Sequence, residues 1–167
     1  GYQKILTRGY ASIKAEARQW LDEHRGNMLG EDATKAAFYT AAEIVCDAAI
    51  LLVKRYAQEC LNHAAECEDA ARKAELKSMA DSLFWISENP VRTFREACQA
   101  AFLYQLLLLM SYLPDNGSFG RVDQYTWPYL KKDLEEGRLT MDEAREIMDC
   151  FFLKINGLYW GAQPHLV

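Results

Sequence analysis

The stretch that decides the fold is Gly117-Ser118-Phe119-Gly120-Arg121-Val122-Asp123-Gln124-Tyr125-Thr126-Trp127-Pro128-Tyr129. Between Gly30 and Pro114 the chain has no glycine and a single proline, Pro90. Two glycines and two prolines then fall within residues 114–129, together with polar and ring side chains. A long helical pattern therefore ends in a polar loop, and loops held by rigid elements often carry functional residues.

Helices account for nearly all of the rest. Apolar residues recur at three- and four-residue steps, which indicates amphipathic helices, with at most one or two short strands, in residues 114–124. The predicted start signals are a cap at Asp32, the pair Asn89-Pro90, and a capping box formed by Thr140 and Glu143. We therefore predict a mainly α chain of about six helices, at 3–23, 33–66, 70–85, 90–112, 126–136 and 141–155.

The fourth predicted helix is apolar on nearly every face from Ala100 to Met110, where Gln105 is the one polar residue. Eleven residues fall short of the roughly 20 that span a bilayer, so we interpret the run as a buried helix. A helix that is apolar all round must be surrounded by protein. The chain is therefore expected to be a piece of a larger body, and to be poorly soluble or bind a hydrophobic dye when produced alone.

Composition argues against several classes of function. The 167 residues carry a net charge of −5 without a basic block, which disfavours binding to nucleic acid or to an anionic membrane. The five cysteines form no Cys-x-x-Cys pair and the three histidines have no ligand spacing, so no metal site is predicted. Buried thiols of this kind are typical of a reducing cytosol.

Arg121 and Asp123 are the residues of the loop best suited to chemistry. Two residues apart on an extended backbone, they face the same side. Either they form a buried pair that fixes the loop, which we favour, or Arg121 binds a substrate carboxylate with its two-pronged guanidinium. Ser118, Asp123 and His165 are the residue types of a catalytic triad, but no motif connects them.

The loop and several other blocks resemble the glycyl radical enzymes of the pyruvate formate-lyase superfamily. The loop block is Gly120-Arg121-x-Asp123-Gln124-Tyr125 with Pro128-Tyr129, followed by Asp133-Leu134-x-x-Gly137-x-Leu139-Thr140. Further blocks match in the same order: Tyr2-Gln3-Lys4-Ile5-Leu6-x-x-Gly9-Tyr10, Phe38-Tyr39-x-Ala41-Ala42-x-Ile44, Arg72-Lys73-Ala74-Glu75-Leu76 and Asn89-Pro90-x-Arg92-Thr93-Phe94-x-Glu96-Ala97-x-Gln99. The resemblance covers almost the whole chain.

This resemblance implies an anaerobic, cytoplasmic enzyme built on a larger ten-stranded α/β barrel. A separate S-adenosylmethionine-dependent iron–sulfur activase would install a glycyl radical, and a thiyl cysteine would abstract hydrogen from a small organic substrate. Lyases acting on C–C or C–X bonds, decarboxylases and fumarate-adding synthases all remain open. The implied partners are the substrate, the activase, the rest of the parent enzyme and a second copy in a homodimer.

The departures from the family limit what this chain does by itself. None of its cysteines lies in a Gly-Cys-x-Glu context, and Arg8-Gly9-Tyr10 lacks the spacing of the family's Arg-Val-x-Gly-Tyr radical loop. We therefore expect residues 1–167 to be an inner fragment of a single pyruvate formate-lyase-like domain, without catalytic residues, metal or cofactor of its own. The alternative is a non-catalytic helical binding or structural module.

The resemblance also assigns roles within the loop. In relatives, positions just before the Gly-Arg-x-Asp-Gln-Tyr block line the active site, which implies substrate-binding roles here for Asp115, Asn116 and Ser118. The block itself is expected to anchor the loop structurally. Its anchoring residues are Arg121, Asp123, Gln124 and Tyr125.

Overall fold

The computed structural model describes residues 1–26, 29–111 and 118–161. Those ranges contain six helices and no strand. The helices are α1 Tyr2–Glu23, α2 Glu31–Glu66, α3 Ala70–Ile86, α4 Phe94–Ser111, α5 Val122–Glu135 and α6 Met141–Gly161. The prediction of a mainly helical chain with about six helices is confirmed.

The chain divides into two compact units. One unit is Thr7–Pro90, and the other combines Gly1–Leu6 with Val91–Val167, as far as the latter range is described. In the first unit, α2 and α3 pack against each other across the short connection 67–69. The residues that α2 buries lie three, four or seven positions apart from Cys46 to Ala64, so one stripe of the helix is covered: Cys46, Ala49, Val53, Ala57 and Ala64.

The caps of the first unit differ from the prediction. Asp32 does not cap α2, because the helix begins at Glu31 after Gly30, and Asp32 pairs with Lys35 inside the first turn. Asp69 instead caps α3, where its carboxylate accepts from the backbone N–H of Ala71 at 2.9 Å. A short acidic side chain just ahead of a helix satisfies N–H groups that have no partner within the helix.

Helix α1 is kinked at Gly9, which the apolar pattern did not predict. Gly9 has φ 69° and ψ 163°, outside the helical region and accessible almost only to glycine. The backbone N–H of Ala11 donates to Glu88 O at 3.0 Å. A Cβ at residue 9 would lie 2.4 Å from the same Glu88 oxygen. Glycine is therefore required by close backbone contact, and this explains Gly9 without any radical chemistry.

In the second unit, α4 packs against both α5 and α6. Six buried residues form its core: Phe94, Cys98, Ala101, Phe119, Ala144 and Phe151. The capping box of α6 is confirmed, because Glu143 accepts from the Thr140 N–H at 2.8 Å and the Thr140 hydroxyl accepts from the Glu143 N–H at 3.2 Å. Leu139, just ahead of this box, packs against the core that contains Ala144, as in a hydrophobic staple.

The predicted starts of α4 and α5 are wrong by four residues. Helix α4 begins at Phe94 rather than Pro90, and the Thr93 hydroxyl accepts from the Glu96 N–H at 3.2 Å as its cap. The side chain of Asn89 instead donates to Trp85 O at 3.1 Å. Helix α5 begins at Val122, so Pro128 lies within it rather than in its first turn.

The exposed apolar surface is not where the sequence placed it. Most of the 100–110 segment of α4 is buried or half-buried, and its main exposed side chain is Met110. Four large side chains of α2 are more than half exposed: Phe38, Ile44, Val45 and Leu51, here called the apolar face of α2. By length and composition α2 alone among the described helices is apolar enough to cross a membrane, a test that the core helix of a soluble protein or a signal sequence also passes.

Candidate functional site

The described chain resumes at Ser118, at the end of the loop. Asp115 and Asn116, two of the three predicted substrate-binding residues, lie outside the described residues. Ser118 is exposed, and its hydroxyl accepts from the Gly120 N–H at 3.1 Å. Gly120 has φ 61° with open space around it, so the chain makes a tight turn here before α5 begins.

Phe119 anchors this turn in a group of five rings, called the ring cluster: Tyr2, Tyr104, Phe119, Tyr125 and Phe151. Tyr2 stacks on Tyr125 with centroids 5.2 Å apart and on Phe119 at 5.8 Å. Tyr104 meets Tyr2 edge-on at 5.0 Å, and Phe151 meets Phe119 edge-on at 5.3 Å. Stacked and edge-to-face rings add a geometric preference to simple burial.

Hydroxyl groups of the ring cluster bind the backbone of the turn. The Tyr125 hydroxyl donates to Phe119 O at 3.0 Å. The Tyr2 hydroxyl donates to the side-chain oxygen of Gln105 and lies 3.5 Å from Ser118 O. Tyr125, one of the four predicted anchors, thus contacts the backbone of the turn.

The hydroxyl groups of the ring cluster and the neighbouring Cys98 thiol are poorly suited to act as bases. Burial raises the pKa of the Tyr125 hydroxyl far above its ordinary value, and the neighbouring Tyr2 and Cys98 add to the effect. Burial also raises the pKa of Tyr104 and brings the pKa of Cys98 to about 12. These groups remain protonated near neutral pH, so they do not act as bases.

Arg121 and Asp123 pair, but at the surface. The guanidinium binds the carboxylate through Nε at 3.0 Å and Nη2 at 2.7 Å, with side-chain exposures of 68% and 65%. The reading of a buried pair on extended backbone is wrong, because Arg121 is the residue before α5 and Asp123 lies in its first turn. Arg121 lowers the pKa of Asp123 through this hydrogen bond. The side chain of Gln124 is exposed.

In a second Arg–Asp pair, Arg138 with Asp133, the carboxylate is buried, and the sequence alone assigned this pair no role. Asp133 accepts from the backbone N–H of Phe94 at 2.7 Å, and from Arg138 through Nε at 3.0 Å and Nη2 at 2.7 Å. The Asp133 side chain is 5% exposed. It joins the end of α5 to the first residue of α4. The only sequence signal was its place in the block Asp133-Leu134-x-x-Gly137.

No metal site or triad forms among the described residues. Within residues 1–26, 29–111 and 118–161, no three His, Cys, Asp or Glu side chains group together as metal ligands. His165 lies outside the described residues. All five cysteines are free thiols, with Cys46 and Cys98 buried and Cys150 exposed.

Comparison with known proteins identifies the class to which this helical arrangement belongs. A sequence model of the pyruvate formate lyase-like family matches residues 1–166. The chain therefore belongs to the pyruvate formate lyase-like family, as the resemblance implied.

Individual relatives are lyases and dehydratases. The chain is 41% identical over 153 residues to isethionate sulfite-lyase of Nitratidesulfovibrio vulgaris, which covers 91% of this chain and 18% of that protein. It superposes on the glycerol-bound, B12-independent glycerol dehydratase of Clostridium butyricum with a TM-score of 0.85 and 32% identity, over 93% of this chain and 19% of that one. A glycyl radical enzyme of Archaeoglobus fulgidus gives a TM-score of 0.81 and 31% identity, over 88% of this chain and 19% of that one. The chain thus spans about a fifth of the length of these relatives.

Proposed function

We propose that this chain is part of a glycyl radical enzyme that acts on a small organic substrate by thiyl hydrogen abstraction. The observation that carries the proposal is the family match along residues 1–166. It is supported by backbone superposition on solved enzymes that are about a third identical in sequence. The proposal includes an α/β barrel for the whole protein, to which these helices would belong.

Elimination is the favoured reaction subtype. The similar proteins are, by their names, a sulfite-lyase acting on isethionate and a dehydratase of glycerol. Both substrates are small hydroxylated compounds. Decarboxylation, fumarate addition and acyl transfer belong to the same superfamily but have less support from these relatives.

Asp115, Asn116 and Ser118 are the residues of this chain that we propose to contact substrate. A carboxylate, an amide and a hydroxyl suit a substrate hydroxyl group, which donates one hydrogen bond and accepts others. They do not suit a sulfonate, because a carboxylate repels an anion. A sulfonate or carboxylate group of the substrate would therefore be bound by residues elsewhere in the enzyme.

We place the radical chemistry outside residues 1–167, so the chain alone would be inactive. None of its cysteines has the Gly-Cys-x-Glu context. Cys98, with its pKa near 12 from burial, has the character of an inert packing thiol. The glycyl radical would be installed by a separate S-adenosylmethionine-dependent iron–sulfur activase. The whole enzyme would be a cytoplasmic homodimer.

The test is anaerobic activation of the full-length protein, followed by assays with isethionate and glycerol. The proposal expects a glycyl doublet in the electron paramagnetic resonance spectrum and turnover of at least one compound. The 167-residue chain, treated identically, should give neither. The alternative of a helical binding module would be favoured if the parent sequence contained neither Gly-Cys-x-Glu nor Arg-Val-x-Gly-Tyr.

A further inference from the structure

We propose that Tyr2 and Gln105 are positioning residues that fix the backbone at Ser118 and Phe119. Ser118 is itself one of the proposed substrate contacts, and Phe119 is the next residue in the chain. The consequence for catalysis rests on the proposed function, whereas the consequence for the backbone does not.

The plane of the Tyr2 ring is fixed by three neighbouring rings. Tyr125 is nearly parallel to it, with an interplanar angle of 6°, and Phe119 lies at 23°. Tyr104 is almost perpendicular, at 88°. Parallel neighbours prevent tilting of a ring, and a perpendicular neighbour restricts sliding within its plane. Tyr2 therefore presents its hydroxyl in a defined direction.

Gln105 provides the hydrogen-bond acceptor for the Tyr2 hydroxyl. Its side chain is fully buried in the otherwise apolar segment of α4. Burying an amide costs free energy unless hydrogen bonds replace those lost to water, so packing alone would favour leucine at this position. The amide oxygen accepts from the Tyr2 hydroxyl. A residue 103 positions away is thereby joined to Tyr2 by a specific polar contact.

Two successive carbonyls of the turn meet the hydroxyls of the two stacked tyrosines. Phe119 O accepts from Tyr125, while Ser118 O lies 3.5 Å from the Tyr2 hydroxyl. A phenol has a single proton, so Gln105 takes the main hydrogen bond and Ser118 O the weaker share. Phe119 is also held by its own ring, which stacks on Tyr2. The position of the backbone at Ser118 and Phe119 thus depends on Tyr2, and the orientation of Tyr2 depends on Gln105.

The experiment uses the full-length enzyme with three single substitutions. Tyr2→Phe keeps the stacked ring and removes the hydroxyl, and Gln105→Leu removes the acceptor. Tyr129→Phe is the matched control, because Tyr129 packs against the same core without a hydrogen bond from its hydroxyl to any described residue. The double variant of Tyr2 and Gln105 tests whether the two act as a unit.

Two readouts are measured on each variant. The first is hydrogen exchange of the backbone amides of residues 119–122 in the protein that has not been activated. The second is KM and kcat for isethionate or glycerol, with kcat expressed per glycyl radical, counted by electron paramagnetic resonance. A residue that only supports folding would change the yield of active enzyme but leave KM and kcat per radical unchanged.

We expect Tyr2→Phe and Gln105→Leu each to speed amide exchange and to raise KM by about fivefold, the effect of one hydrogen bond. We expect kcat per radical to stay within about twofold, and the double variant to resemble the singles rather than their product. Unchanged exchange, or changes no larger than those of Tyr129→Phe, would overturn the proposal. Faster exchange with unchanged KM would also overturn it, since Tyr2 would then be a packing residue only. If the wild type forms no glycyl doublet, the proposed function fails, and the exchange data still decide whether Tyr2 and Gln105 hold the turn.

Discussion

Replacing Gly9 by alanine should lower the free energy of unfolding more than a glycine-to-alanine substitution at any other described glycine. A Cβ at this position would lie 2.4 Å from Glu88 O, 2.5 Å from Asn89 C and 2.8 Å from Asn89 Cα. All three atoms belong to the backbone and have no rotamer with which to move aside. Either the backbone at residue 9 or the backbone at Glu88 and Asn89 must therefore shift, which weakens or breaks the hydrogen bond from the Ala11 N–H to Glu88 O.

Two costs combine in this substitution. An alanine held at φ 69° and ψ 163° costs roughly 1–3 kcal/mol in backbone strain. Forcing a methyl group into a filled space costs roughly another 1–3 kcal/mol. The free energy of unfolding should fall by about 2–6 kcal/mol, which for a chain of this length lowers Tm by roughly 5–20 °C.

Urea titration of the 167-residue chain, followed by helical circular dichroism, measures this change. Two matched alanine substitutions separate the terms. Gly137 has φ 66° with nothing within 4 Å, so Gly137→Ala carries strain alone and should cost about 1–2 kcal/mol. Gly157 lies in α6 with open space around it, so Gly157→Ala should stabilise the chain by about 0.5–1 kcal/mol. If Gly9→Ala cost no more than Gly137→Ala, the close-contact explanation of the kink would be refuted.

Four other predictions test the second unit and the apolar face of α2. Asp133→Ala should lower the free energy of unfolding by about 2–4 kcal/mol, because it leaves the buried Phe94 N–H without an acceptor. Asp123→Ala, in the exposed pair, should lower it by at most about 1 kcal/mol. Equal losses in urea titrations would contradict this expectation. Since burial brings the pKa of Cys98 to about 12, its thiolate fraction at pH 8.5 is roughly a thousandfold below that of an ordinary thiol, so iodoacetamide should modify Cys150 and spare Cys98 in the folded chain. The raised pKa of Cys98 also makes stability depend on pH, because the thiol ionises at a lower pH in the unfolded chain than in the folded one. The stability that Cys98 contributes is present below pH 9.0 and is lost as the pH rises towards about 12. The free energy of unfolding of Cys98→Ala should therefore fall less over this alkaline range than that of the wild type. Ile44→Gln, within the apolar face of α2, should lower hydrophobic-dye fluorescence of the 167-residue chain, and an unchanged signal would mean that this face is not what binds the dye.

Helix positions were largely predictable because they depend on local pattern. Periodicity gave the full extent of α2 and α3 to within a few residues, and the Thr140–Glu143 box gave the start of α6. The start of α4 was missed because a local signal had a competitor. Asn89 is a good cap residue, but its side chain binds Trp85 O instead, and Thr93 four residues on takes the cap role for α4.

The contacts that shape the turn could not be predicted, because they join distant parts of the chain. Tyr2 and Gln105 are 103 positions apart, and Asp133 and Phe94 are 39 apart. One hint was visible in the sequence, since Gln105 is the single polar residue in an apolar run. It also placed Arg121 and Asp123 together correctly but could not show that their pair is exposed, because exposure depends on how the turn meets α5.

The central claim, that this chain belongs to a working glycyl radical enzyme, is tested most directly by spectroscopy of the full-length protein. The sample is treated anaerobically with its activase and S-adenosylmethionine, and its electron paramagnetic resonance spectrum is recorded before and after isethionate or glycerol is added. We predict a glycyl doublet that accompanies turnover of one of these compounds. Full-length protein that is folded and exposed to an active activase, yet shows no doublet, would contradict the claim.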